Sequence, residues 1–210
     1  MGHRFLEIAT TPDVEAAQAA RGSRTAYARM QQGPATHDRL GKSEAAFIAA
    51  RDSFYMATVS ATGWPYIQHR GGPAGFLKVL DERTLGFADF RGNRQYISLG
   101  NAAGNDRVAL FLMDYPNRRR LKLLGRLAAI DPERSPALLE KLAVPGYPAR
   151  VEGGFTIAVE AFDWNCPQHI TPRFTPAQLT PMLDRIAALE EENRALRERL
   201  AGADASRDGA

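Results

Sequence analysis

The sequence predicts a mainly β fold, an antiparallel meander or barrel with helices before and after it. From Phe54 onward, short segments rich in aromatic and β-branched residues alternate with turn signals such as Thr62-Gly63 and Gly71-Gly72-Pro73. Strands at this spacing are typical of antiparallel sheets and barrels. We count about seven such strands, too many for one flat sheet in so short a chain without curling or closure.

The composition indicates a soluble protein with one sizeable core. The 210 residues are 44% hydrophobic and 24% charged, and the net charge of +3 suits an anionic small ligand as readily as nucleic acid. Cys166 is the only cysteine, so an intramolecular disulfide is excluded, as is usual in a reducing compartment. No signal-peptide core is present, and no apolar run approaches the roughly 20 residues of a membrane helix. We therefore expect a cytoplasmic protein without a membrane segment.

Residues 1–42 are expected to form a helical extension. Good helix formers dominate this part of the chain, and Gly22 and Gly33-Pro34 interrupt it. Ser43 is a candidate N-cap for the helix that leads into the β segment.

Within the β segment, helices are predicted at 93–99, ending at Gly100, and at 134–142. A hairpin is expected around Tyr115-Pro116-Asn117, and the apolar segment 154–162 closes the set of strands.

Residues 176–202 have a strict heptad pattern, which predicts a long helix. Residues 203–210 are predicted to form a disordered tail. The heptad positions a and d are held by Leu179, Met182, Ile186, Leu189, Asn193, Leu196 and Leu200. Asn at an a position with Leu at d favours a parallel two-stranded coiled coil. The alternative is a helix packed on its own barrel, which Leu183 at an e position supports. A DNA-binding zipper is not expected, because 163–178 contains a single basic residue, Arg173.

Four segments of the β region carry candidate chemistry: Gln68-His69-Arg70, Arg91–Gln95, Arg118–Arg120 and Trp164–His169. On a strand, Gln68 and Arg70 share one face and His69 points away. Arg91–Gln95 lies where a strand meets a helix, and backbone N–H groups at a helix start together with arginine favour a phosphate. Each segment alone has an ordinary explanation as a solvated edge or a cap. Together they indicate a phosphate-bearing planar cofactor.

The stretch FYMATVSATGWPYIQHRGGPAGFLKVLDERTLGFADFRGNRQYISLGN, followed by LFLMDYPNRRRLKLLG, resembles the pyridoxamine 5'-phosphate oxidase-related flavoproteins. It is most similar to a bacterial subgroup described as predicted flavin-nucleotide-binding proteins. The resemblance covers about 43–170. It implies an antiparallel six-stranded split barrel and a homodimer with FMN in clefts between the subunits.

By position, the resemblance assigns Arg94 and Gln95 to the FMN phosphate, with Asn93 beside them. Gln68, His69 and Arg70 fall on the strand that follows the phosphate and ribityl chain, and Arg120 falls near the flavin ring. The family's C-terminal arginine-histidine segment, which grips vitamin B6, is absent, so oxidation of that substrate is not expected. The resemblance implies an FMN-dependent oxidoreductase acting on a reduced nicotinamide or small organic substrate. The alternative is a non-catalytic flavin or haem carrier of the same fold.

Cys166 and His169 are the candidate catalytic residues, because an irregular segment beside a flavin could place either one for proton transfer. The alternative is a buried cysteine with a capping histidine. A zinc site is not expected, since the chain has no second cysteine and only three other histidines. We predict no metal, nucleic acid or membrane partner.

Overall fold

The computed structural model describes residues 2–164 and 167–207, which divide into two compact units. The larger unit runs to Asp114 and continues over Arg118–Ile170, and the smaller contains Tyr115–Asn117 and the chain from Thr171. The described strands are β1 Gly2–His3, β2 Ala35–Thr36, β3 Ser53–Val59, β4 Pro65–Gly71, β5 Lys78–Asp81, β6 Thr84–Phe90, β7 Arg107–Asp114, β8 Arg119–Ile130 and β9 Val151–Trp164. The described helices are α1 Arg4–Ala9, α2 Pro12–Ala20, α3 Arg24–Met30, α4 Lys42–Ala49, α5 Ile97–Gly104, α6 Pro136–Leu142 and α7 Pro176–Arg207.

The main sheet is antiparallel, and over the described residues it has seven strands in the order β4-β3-β7-β8-β9-β6-β5. The mainly β prediction is confirmed. The expected count of six strands differs from the structure, because the described sheet has seven strands, and β4 and β5 are its two edges. The short β1 and β2 pair in parallel outside this sheet.

Although no ladder of hydrogen bonds closes the described sheet, it curls until its distant strands touch. The rings of Phe54 on β3 and Phe87 on β6 lie 5.3 Å apart, edge to face. Arg70 on β4 likewise reaches Asp89 on β6. Strands three or more places apart in the sheet therefore enclose one core, which is the arrangement of a barrel that is split along one side.

Alternation along the strands fills that core. On β7, and on β8 as far as Leu127, every second residue is buried, and these residues include Val108, Leu110, Leu112, Leu121 and Leu123. The ladder of β8 and β9 shifts register between Leu124 and Gly125. A Cβ on Gly125 would lie 2.5 Å from the carbonyl oxygen of Ala158, so only glycine permits this close approach of the two longest strands.

Four helices differ from the prediction at their ends. Helix α6 begins at Pro136 instead of 134, and α5 ends at Gly104 instead of Gly100. The N-cap of α4 is Gly41, not Ser43, and its N–H donates to the Glu44 carboxylate at 2.9 Å. Helix α5 starts at Ile97 instead of 93, because two left-handed residues precede it. Helix α7 extends five residues past 202, as its Ala- and Arg-containing sequence permits.

The C-terminal unit consists mainly of α7. Its first turn is stabilised by a reciprocal pair, in which the N–H of Gln178 donates to the Thr175 hydroxyl and the N–H of Thr175 donates to the Gln178 side chain. Pro181 lies inside the helix. None of the helices in the described residues has the length and apolar character needed to cross a membrane.

Candidate functional site

Strand β4 directs Gln68 and Arg70 toward the interior of the curled sheet. Gln68 lies opposite Met56 on β3 and Arg70 lies opposite Phe54, and both of these partners are buried. Directly opposed residues of an antiparallel pair share a face, so the polar pair points inward. The hydroxyl of Ser98 donates to Oε1 of Gln68 at 3.0 Å, which ties β4 to the first turn of α5.

The loop between β6 and α5 has a conformation that is unusual for its residues. Arg94 and Tyr96 both have left-handed backbones, with φ of 60° and 51°. Few non-glycine residues adopt this region, so the neighbouring contacts must hold it. One such contact is the bond from the N–H of Gln95 to Oδ1 of Asn93 at 3.1 Å.

Glu152 on β9 organises the cations of this loop. Nε of Arg91 lies 3.4 Å from Oε1 of Glu152, and Nε of Arg94 lies 3.9 Å from it. Arg94 also donates to the Tyr96 hydroxyl at 3.0 Å, and that hydroxyl donates to Glu152 at 3.1 Å. The hydrogen bond to Tyr96, and then the charges of Tyr96 and Glu152, raise the pKa of Arg94 above its ordinary value.

A largely buried ion pair crosses the split between β4 and β6. Nη1 of Arg70 donates to Oδ1 of Asp89 at 2.5 Å. The guanidinium also lies against the rings of Phe87 and Phe155, at 5.7 and 5.5 Å from their centroids. Burial raises the pKa of Asp89 even though Arg70 acts in the opposite direction.

Two adjoining cavities open at Arg70, and a third, of about 280 Å³, adjoins the first at Asp89, Tyr96 and Glu152. The first, of about 170 Å³, is lined by residues of β4, β6, the following loop, α5 and β9, namely Gln68, Arg70, Asp89, Phe90, Gly92, Asn93, Arg94, Tyr96, Ser98, Leu99, Glu152 and Phe155. The second, of about 180 Å³, shares Gln68, Arg70, Phe90 and Gly92 with the first. Sites for small molecules usually exceed roughly 300 Å³, so either cavity alone would hold only part of a cofactor.

The donors around these cavities fit a phosphate. Nε of Arg70 is buried and has no hydrogen-bond partner among the described residues. A buried N–H of this kind is costly unless an acceptor completes it. Arg94 and the first turn of α5 add a charged fork and free backbone N–H groups. The site therefore has the donor set for one compact anionic group, with the Phe90 and Phe155 rings as apolar walls.

The predicted residues do not all lie together. The first cavity is lined by Gln68, Arg70, Asn93 and Arg94, and the second by Gln68, His69 and Arg70. Gln95 accepts a hydrogen bond from Asn93 and so is linked to the first cavity only through that residue. Arg120 lies on the outer face of β8, with Cζ 5.9 Å from the centroid of the Phe111 ring.

The two candidate catalytic residues are less well placed by the structure. Cys166 lies outside the described residues, so its proposed role stays a prediction. His169 is exposed and has a left-handed backbone, with φ of 61°.

Four residues of the site escaped the sequence reasoning: Asp89, Tyr96, Ser98 and Glu152. Asp89 and Tyr96 flank the Arg91–Gln95 segment and could have been included with it. No sequence signal points to Glu152, since only the fold brings β9 beside that loop.

A pair of stacked histidines, His3 and His37, lies in the larger unit away from these cavities. The rings of His3 and His37 stack with centroids 4.0 Å apart, and Nε2 of His3 lies 3.3 Å from Asp163. Burial, and then His3, lower the pKa of His37. Over the part of the chain that the structure describes, no group of three His, Cys, Asp or Glu side chains is arranged to hold a metal ion.

The sequence model of the pyridoxamine 5'-phosphate oxidase family matches residues 40–153. Because that match spans more than half of the 210 residues, the chain belongs to this family. No curated protein matches the chain.

Several solved structures are similar to this chain. HupZ of Group A Streptococcus is 16% identical over 64% of this chain and 99% of its own, with a TM-score of 0.49. An FMN-binding protein from Syntrophomonas wolfei is 12% identical over 57% of this chain and 81% of its own, with a TM-score of 0.44. HutZ, the heme storage protein from Vibrio cholerae, is 15% identical over 60% of this chain and 94% of its own, with a TM-score of 0.38.

Proposed function

We propose that this protein binds FMN at the two adjoining cavities between β4, β6 and α5. The observation that carries the proposal is the convergence of Arg70, Arg94 and the start of α5 on one cavity that also contains a buried, unpartnered N–H. Phosphate is the ligand group that such a donor set suits best. The match to the family model supports the same conclusion.

In this proposal each residue has a defined task. Arg94, with Asn93 and Gln95 shaping its loop, holds the phosphate at the start of α5. Arg70 offers the N–H that Asp89 leaves unused, and Gln68 places its amide, already oriented by Ser98, along the ribityl chain. FMN, when bound, supplies the capacity to accept and release electrons.

The ligand is FMN rather than a dinucleotide. The cations form one compact cluster, and the chain lacks a G-x-G-x-x-G segment between a strand and a helix. Asp89 and Glu152 already balance part of the positive charge of Arg70, Arg91 and Arg94. The phosphate must therefore compete with two carboxylates, and affinity should depend strongly on each arginine.

The reaction that we propose is electron transfer between a reduced nicotinamide or small organic substrate and FMN. Purified protein should be mixed anaerobically with NADH, NADPH and pyridoxamine phosphate in turn while the visible absorption of the flavin is followed. Bleaching by one of them supports an oxidoreductase. If none of them bleaches a flavin that stays bound, the protein is a flavin carrier and not an oxidoreductase. If the purified protein shows a haem spectrum, the cofactor is haem and not FMN.

We propose further that the barrel forms a homodimer through the outer face of β3, β4, β7 and β8. Tyr55 and Ile67 are 41% and 66% exposed on this face, and Phe111 and Arg120 lie on the same side of the sheet. A second protomer would cover these apolar side chains and could bring Arg120 and the remaining walls to the cofactor. The single cysteine supports a cytoplasmic location.

The substitution Arg94→Ala tests the phosphate site. We expect FMN to bind about 10- to 150-fold more weakly, since a charge-assisted hydrogen bond contributes roughly 1.5–3 kcal/mol. Riboflavin, which lacks the phosphate, should bind the variant and the parent protein equally. Both affinities can be measured by fluorescence titration.

The matched control is Arg83→Ala, which removes an exposed arginine that pairs with Asp38 outside the cavity lining. It should leave both affinities unchanged. Unchanged FMN affinity in Arg94→Ala would remove Arg94 from the phosphate site. Equal losses for FMN and riboflavin would instead indicate a general disturbance of the loop.

A further inference from the structure

Helix α7 carries a stripe of exposed apolar side chains. The side chains of Met182, Ile186, Leu189, Leu196 and Leu200 are 38–65% exposed. They are spaced as the d and a positions of successive heptads. The opposite face is polar, and Arg194 and Glu191 form an ion pair there.

We propose that a second copy of this chain covers the stripe by forming a parallel, in-register coiled coil. Asn193 occupies an a position in the middle of the stripe. Its Nδ2 donates one hydrogen to the carbonyl of Leu189 at 3.0 Å, which leaves its second amide hydrogen and its own Oδ1 for another partner. In a parallel pair that partner is the same residue of the other copy, whereas in other registers a polar amide faces leucine.

Charges beside the stripe select the same arrangement. In a parallel pair, position g of one helix faces position e of the next heptad on the other. Arg185 would then face Glu190, and Glu192 would face Arg197. Both contacts have opposite signs and each occurs twice by symmetry, so a second copy complements this surface better than an unrelated apolar helix would.

Pro181 limits the part of α7 that can supercoil. It cannot donate to the carbonyl of Ala177, so the first turn is less strongly bonded than the rest. Pro181 falls at position c, away from the stripe, and therefore does not block pairing. The coil that we propose extends from Met182 to Leu200.

A coil of this length is marginal by itself, because short helices need tertiary support. A barrel dimer would raise the effective concentration of the two helices. In a closed symmetric dimer both interfaces share one two-fold axis, which a parallel coil satisfies. The coil does not depend on the identity of the cofactor.

Disulfide trapping in the full-length chain tests the proposal. Met182→Cys and Leu196→Cys are prepared separately in a Cys166→Ser background, so that each chain has one thiol. Oxidised glutathione should link each variant to itself, because in a parallel coil identical d positions face each other within disulfide range. Glu198→Cys is the control, since it lies on the outward face, and it should cross-link at least several-fold more slowly.

The outcomes separate the alternatives. In an antiparallel pair a d position faces an a position, so a mixture in which Met182→Cys links only to Leu200→Cys, prepared in the same background, would show antiparallel helices and overturn the proposal. Absence of cross-links, or equal rates at Glu198→Cys, would show that the stripe does not pair with a second copy. FMN titration of the same variants is independent of these results, so failure of the coil leaves the proposed cofactor site standing.

Charge reversal provides a second measurement. In Leu196→Cys chains, adding Arg185→Glu should slow cross-linking several-fold, because two like-charged contacts replace two favourable ones. Adding Glu190→Arg to that variant should restore the rate. If the double reversal does not rescue the rate, the parallel register is contradicted.

Discussion

The arginines of two arginine–aspartate pairs are withdrawn from solvent to almost the same extent, yet the surroundings of these arginines differ. The side chains of Arg51 and Asp114 are 15% and 8% exposed, and those of Arg70 and Asp89 are 14% and 19% exposed. Arg51 uses all three nitrogens, since it donates to the carbonyls of Phe47 and Met113 at 3.2 and 3.0 Å and faces Asp114 at 3.2 Å. Arg70 meets Asp89 through Nη1, and its buried Nε has no partner in the described residues.

We interpret this difference as that between an arginine that holds the fold and one that serves the FMN site proposed above. Arg51 joins the end of α4 to the end of β7, and each of its three nitrogens has a partner. Arg70 borders two cavities and keeps one donor unused. Buried charges are rarely left with incomplete hydrogen bonding unless function requires it. Burial by itself would not separate the two pairs, whereas counting donors does.

The largest effect should come from Arg51→Met. This change keeps the side-chain length but removes the cation facing Asp114 and the donors to two carbonyls. We expect the free energy of unfolding to fall by about 3–5 kcal/mol, the usual cost of breaking a buried pair. Urea denaturation measures it. A loss below about 1 kcal/mol would show that the Arg51 network does not hold the fold.

Arg70→Met is the matched change at the other pair, and it should cost less stability. We expect about 1–2 kcal/mol, because Asp89 borders a cavity and can be rehydrated or protonated. FMN affinity should nevertheless fall by about tenfold or more, whereas Arg51→Met should not change the FMN affinity of its folded fraction. Denaturation and fluorescence titration of both variants give the comparison. The distinction between the pairs is lost if Arg51→Met weakens FMN more than Arg70→Met does.

Sequence periodicity predicts the part of this site that lies on β4, but not the part that lies on β6. Alternation on β4 predicts that Gln68 and Arg70 share a face, and their positions opposite Met56 and Phe54 confirm it. Asp89 could not be assigned to Arg70 in the same way. It lies on β6, five places from β4 in the sheet order, and the two meet only because the sheet curls.

The remaining differences also have local causes. The predicted helix at 93–99 started too early, because Arg94 and Tyr96 adopt left-handed backbones that their side chains do not signal. The six-strand count came from the resemblance, whereas the pattern of turns had indicated about seven strands. The alternation of apolar and polar residues within one strand thus predicts which face of the sheet a residue occupies. Contacts across the split depend on how the whole sheet curls.

The smallest effect concerns pH and arises from Asp89. Burial raises the pKa of this carboxyl above its ordinary value of 3.8, with Arg70 opposing the shift. The folded state therefore binds the proton of Asp89 more tightly than the unfolded state does. The contribution of this proton to the free energy of unfolding is complete below pH 3.8 and decreases as pH rises through the folded pKa. Asp89→Asn lacks this titration. The unfolding free energy of the parent minus that of the variant should therefore decrease with rising pH and then level off.

In Arg70→Met the pH range over which Asp89 titrates should extend to higher pH, because the cation that lowers the pKa of Asp89 is gone. Urea denaturation of the three proteins between about pH 4 and pH 7 measures the slopes. A parent protein that instead gains stability over Asp89→Asn as pH rises would mean that the ion pair with Arg70 outweighs burial. Arg70 would then be held too firmly by Asp89 to serve a ligand, and the two pairs would be alike.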